Sequence, residues 1–148
     1  MRWDLEELTE DTLAAYLRTQ VSGDMRVYVA WEVNEPEFPC AMVHAGQSGP
    51  ISEEAAWHDA RLITVEVAVM VEAATTNLKT ARERNAEARS QVINALATST
   101  LESELQNAGT EDIAFSMAQM TNLTRTTENR VFVTTITVEV VAEPVTGS

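Results

Sequence analysis

The stretch RLITVEVAVMVE, residues 61–72, decides the fold. Arg61, Ile63, Val65, Val67, Val69 and Val71 fall on one side of an extended chain. Leu62, Thr64, Glu66, Ala68, Met70 and Glu72 fall on the other. A period of two over this length predicts a β-strand. The first side is apolar beyond Arg61 and reads as core. The second is half apolar, so something should cover part of it, such as a neighbouring subunit.

Working back towards the N-terminus, Phe38 to Ala45 reads as another strand. Before it, Met25, Val27, Val29, Trp31 and Val33 alternate with more polar residues, and Asn34-Glu35-Pro36 turns the chain. Strands joined by a short turn pair antiparallel, so these two are expected as a hairpin. Gly46-Gln47-Ser48-Gly49-Pro50 reads as a flexible loop, followed by one helical turn from Ser52 to Trp57. At the start of the chain, Leu5, Leu8, Leu13, Tyr16 and Leu17 share one side of a helix ending near Gln20, and Asp4 with Glu7 forms a capping box.

Working forward, a long helix runs from a Thr75 or Thr76 cap to about Thr98. Its apolar stripe is Leu78, Ala81, Ala88, Val92 and Leu96. A short helical piece, Leu101 to Asn107, stops at Gly109. Ile113 to about Arg125 and Arg130 to Ala142 are strands joined by a turn at Thr126 to Asn129. Phe132, Ile136, Val138 and Val140 share a face of the last strand. The result is a single α+β domain over residues 1–148, with 143–148 as a frayed tail. Its sheet is mostly antiparallel, with one long helix packed across a face, an N-terminal helix and a C-terminal β-hairpin.

At 148 residues, 45% hydrophobic and 22% charged, the chain has enough apolar material for one packed core. Its 23 acids and 10 bases give a formal charge of −13, so phosphate backbones are not its main ligand. The acids are dispersed. Residues 1–37 carry nine acids against three arginines, whereas residues 76–97 carry Lys79, Arg82, Arg84 and Arg89 against Glu83 and Glu87. That asymmetry suits head-to-tail contact between copies. The N-terminus lacks the basic and then apolar pattern of a secretory signal. The run from Leu62 to Ala74 falls short of the roughly 20 apolar residues that span a bilayer. The expected location is the cytoplasm in which the chain is made. The lone Cys40 excludes an intramolecular disulfide framework.

Chemistry is sparse. Cys40, His44, His58 and Asp59 match no zinc spacing, and neither metal nor cofactor is expected. No nucleophile elbow or phosphate loop is present. Glu6-Glu7 and Glu53-Glu54 sit at helix starts, where they favour the dipole. The residues therefore predict no enzyme. Trp3, Trp31, Trp57 and Phe132 read as core or interface anchors, because stacking on nucleic acid would need basic residues among them.

The segment AFSMAQMTNLTRTTENRVFVTTITVEVVAEP, residues 114–144, resembles the closing hairpin of bacteriophage tail terminator (tail completion) proteins. Arg130, Phe132, Thr135, Val138 and Val140 carry the motif, and the order of elements agrees over most of the chain. The resemblance implies no catalytic residues. It implies a hexameric ring at the head-proximal end of the tail tube, between tail tube protein and a head-completion or connector protein. The ring stops tube polymerisation, and DNA passes through its lumen without specific binding. Six copies would carry roughly −78, which repels DNA from a lumen lined by that charge. Glu66 and Met70 on the outward strand face are the expected subunit contacts, with Arg82, Arg84 and Arg89 as the complementary side. The residues also leave open another neck, head-completion or tail tube protein, a small ligand-sensing α+β domain, and an enzyme built on His44 and His58.

Overall fold

A computed structural model describes residues 5–21, 25–30, 36–50, 61–72, 78–97, 101–108, 113–128 and 131–144. The elements run α1 (Leu5–Gln20), β1 (Arg26–Val29), β2 (Cys40–Pro50), β3 (Arg61–Glu72), α2 (Leu78–Ala97), α3 (Leu101–Ala108), β4 (Ile113–Glu128) and β5 (Val131–Pro144). The chain is α+β, with a five-stranded, mostly antiparallel sheet in the order β1-β2-β3-β5-β4.

β3 holds the centre. It pairs antiparallel with β2 on one side and with β5 on the other, from Arg61↔Ala142 to Glu72↔Val131. The alternation read from the sequence sets its two faces. Ile63, Val65, Val67 and Val69 are fully buried and Val71 nearly so. Burying each such side chain contributes about 1.5–3 kcal/mol. On β5, Ile136, Val138 and Val140 continue the same core, with Thr134 buried beside them.

Three described helices cover this face and touch one another. α1 lies over β1 and β2 and contributes Leu13, Ala14, Tyr16 and Leu17. α2 lies over β3, β4 and β5 through Ala88, Val92, Ala95 and Leu96. α3 adds Leu101 and Leu105 near β4. Tyr16 Oη donates to Ala95 O at 2.7 Å and ties α1 to α2.

Four expectations are corrected. β1 and β2 pair in parallel, with Arg26↔Cys40 to Val29↔Val43, so they are no hairpin. The connection between them is long enough to carry the chain back to the starting end of β1, whereas a tight turn reverses it on the spot. β1 itself ends at Val29, and Trp31 and Val33 lie outside the described residues. Second, Gly46 to Pro50 belongs to β2. Its irregularity is absorbed as a register shift between Ala45 and Ser48. A Cβ on Gly46 would meet Thr64 O at 3.3 Å, so the backbones come close there. Third, β4 continues through the expected turn residues Thr126–Glu128, because each pairs with β5. Fourth, β5 extends to Pro144, opposite Ile113, so Glu143 and Pro144 belong to the strand. The residues expected to form a turn at 52–57, the helix caps at Asp4 and Thr75 or Thr76, and the stop at Gly109 lie outside the described residues.

Candidate functional site

α2 and the far ends of β4 and β5 enclose a groove of about 610 Å³, the size range of ligand sites. α2 supplies Arg82, Asn85, Ala86 and Arg89; the strands supply Arg125, Thr126, Thr127, Phe132 and Val133. The groove arises because α2 covers the sheet centre and leaves the end of β4 open. Every residue from Thr121 to Thr127 is exposed, with Leu123 at 37%. The register opposes Arg125 to Thr134 and Thr127 to Phe132, next to buried Ile136, so both project to the helix side of the sheet.

The groove is basic in an acidic chain. None of Arg82, Arg84, Arg89 and Arg125 pairs with a described carboxylate. Asn85 is 92% buried by its 8% exposure, and its Oδ1 accepts no hydrogen bond from a described residue. A buried acceptor left unpaired costs about 1–3 kcal/mol, so it draws a donor. The arrangement suits an anionic ligand that also brings an N–H or O–H group.

The expected contact residues divide between two surfaces. Arg82 and Arg89 line the groove, with Arg89 half-buried; exposed Arg84 does not. Glu66 and Met70 lie on the opposite sheet face, which no described helix covers. Glu66 is exposed there and Met70 half-buried. Leu62, Ala68, Val131 and Val133 are half-buried around them, and Glu72 is exposed, while Cys40 and Val141 are buried. Arg125 and Asn85 were not among the expected site residues. Arg125 comes from a distant strand. Asn85 occupies a position of the α2 stripe, three before Ala88 and seven before Val92, and that spacing was the available signal.

The imagined metal ligands part company. Cys40 and His44 are four residues apart on β2, about 13 Å along a strand. His58 and Asp59 lie outside the described residues, and among the described ones no group of three ligating side chains occurs. Burial pushes the Cys40 thiol up to about 11, which keeps it protonated.

His44 instead reaches Glu10 of α1, Nδ1 to Oε2 at 3.3 Å. Glu10 is 1% exposed, and its Oε2 also accepts from Ala45 N at 2.8 Å. Its Oε1 accepts from no described residue. Burial raises the Glu10 carboxyl above its ordinary range, and the Ala45 amide and the His44 imidazole oppose that rise. Here a carboxylate substitutes for a strand. β1 serves β2 only as far as Val43, whose carbonyl accepts from Ala30 N. Two residues later Glu10 meets the next amide.

Among the described residues no helix is long and apolar enough to cross a membrane. No protein-family model matches this chain, and no curated protein sequence matches it.

Proposed function

We propose that this chain is a phage structural protein of the tail-terminator type. Copies form a homo-oligomeric, hexameric ring at the head-proximal end of the tail tube. One side of the ring meets the tail tube protein and stops its polymerisation; the other meets the head-completion or connector protein. The protein is assembled in the host cytoplasm and resides in the virion, and DNA crosses the ring without specific binding. In this reading β4 and β5 are the closing hairpin, and α2 is the one long helix across the sheet.

The observation that carries the proposal is the sheet face without a described helix, with exposed Glu66 and Glu72 among half-buried Leu62, Ala68, Met70, Val131 and Val133. A half-apolar sheet face suits a partner surface. Glu66 and Met70 mark one contact, and Arg82, Arg84 and Arg89 mark the complementary one. They sit on opposite sides of the sheet, so the contact is head-to-tail, which closes a ring when its rotation closes. Replacing Arg82 and Arg84 together by Glu weakens ring formation in light scattering while circular dichroism shows a folded monomer. Unchanged assembly removes these arginines from the contact. The acidity of the chain predicts a lumen wall richer in Asp and Glu than in Arg.

The deciding experiment is negative-stain microscopy of lysates from a phage carrying an early stop codon in this gene. The expected result is filled heads beside unattached tails of uncontrolled length. Normal-length finished tails move the role to the head side of the joint. Intact virions overturn the proposal.

A further inference from the structure

The ring reading puts Arg82 and Arg89 at a contact between copies, and the groove joins Arg125 and Asn85 to them. We propose that it receives the acidic connection between β1 and β2 of a second copy of this chain, carrying Glu32, Glu35 and Glu37. This inference rests on the ring reading and specifies its contact.

Three observations converge on it. First, the groove gathers Arg82, Arg89 and Arg125, without described carboxylate partners, in a chain that has 23 acids. Carboxylates from another molecule meet that need, because guanidinium–carboxylate hydrogen bonds are the charge-assisted kind. Second, Asn85 Oδ1 is a buried acceptor without a described donor and belongs to the same groove. A polypeptide brings backbone N–H groups together with its carboxylates, whereas inorganic phosphate brings mainly acceptors. Third, β1 and β4 are the two edges of one sheet. The acids follow β1 in the chain, and the groove lies along β4. A head-to-tail contact brings opposite edges of successive copies together without repeating the same patch on itself. Glu37 is 68% exposed on its side chain, and its one described ion pair, to Arg26 at 2.8 Å, is a surface pair. Such a pair is weak enough to exchange for a partner's guanidinium. Among the described residues β4 also has an unpaired edge, along which an incoming extended segment directs every second side chain to the helix side, where Arg125 stands.

The test is a charge swap on the full-length protein, read as the assembly dissociation constant by light scattering. Arg82→Glu with Arg125→Glu is expected to weaken assembly at least tenfold, and so is Glu35→Arg with Glu37→Arg. The combined four-site variant is expected to recover to within threefold of the parent. Arg125→Ala, at an exposed position, serves as the milder variant if the reversals disturb folding; a weakening of about threefold or more supports the contact. Loss without recovery in the combination overturns this pairing. Unchanged assembly in both double variants overturns the groove as a contact and leaves the ring reading standing. A parent protein that stays monomeric at every concentration removes the ring reading itself, and this contact with it.

Discussion

The two edges of the sheet are finished in opposite ways. At the β1 edge, strand pairing stops at Val43, and the next free amide of β2, that of Ala45, is taken by the buried carboxylate of Glu10. Arg18 adds two bonds from α1, its Nε and Nη2 donating to Val27 O at 3.2 and 3.0 Å. At the β4 edge, seven consecutive residues from Thr121 to Thr127 are exposed, and the adjoining groove holds guanidiniums without described partners. An exposed edge invites pairing with another chain, and proteins usually protect against it. One edge is therefore closed by its own helix. Among the described residues no strand pairs with the other, and its Thr, Asn and Arg side chains keep it hydrated.

The largest test of this contrast is truncation on each side. Leu17 is fully buried at the closed edge, and Leu17→Ala is expected to cost about 2–5 kcal/mol in denaturant unfolding. A cost below 1 kcal/mol would mean that α1 does not lock that edge. Glu10→Ala comes next. It strands the Ala45 amide in a buried site, at about 1–3 kcal/mol. Glu10→Gln keeps an acceptor there and sharpens the comparison through pH. Burial raises the Glu10 carboxyl in the folded protein, so the native state holds that proton to higher pH than the unfolded chain does. Wild-type stability from this group is therefore greatest below the ordinary value of 4.5 and falls as pH rises from there through the raised native value. Gln does not titrate, so Glu10→Gln should gain on wild type across that interval, measured by denaturation midpoints from about pH 4 to about pH 7. A Glu10→Gln midpoint that falls relative to wild type as pH rises contradicts this assignment. The smallest effect belongs to the open edge: Leu123→Ala, at 37% exposure, should shift monomer stability by no more than about 0.5 kcal/mol. A larger loss would show that Leu123 is packed, and that the edge is not open.

Alternation made β3 legible, because a sheet centre is apolar on the side facing helices whatever its neighbours are. The same logic located Leu13, Tyr16 and Leu17 on α1, Ala88, Val92 and Leu96 on α2, and Ile136, Val138 and Val140 on β5, all of them buried. It failed on pairing direction. Nothing in the residues of β1 records whether β2 returns beside it directly or after the chain has doubled back. Gly46 to Pro50 looked like loop because glycine and proline weaken strands, yet an irregular strand accommodates them. The site was half legible. Arg82 and Arg89 stood out as a local excess of positive charge. Glu10 did not, since a carboxylate near a helix start reads as solvent-facing. Its neighbours carried a signal: Thr9 and Thr12 lie four residues after Leu5 and Leu8, at positions on the buried side of the helix, and both are buried. Asn85 was hidden in the same way inside a run of polar residues.

The central place of β3 also bears on how quickly the chain finds its structure. Its partner β5 follows α2, α3 and β4 in the sequence, so the sheet cannot close until most of the chain has been gathered in. β4 and β5 have no such wait, because Glu128 already faces Val131. Loop-closure entropy favours the near pair first and makes the β3–β5 seam the late, slow step. In refolding followed by hydrogen exchange, the amides of residues 131–143 that face β4 should gain protection before those that face β3.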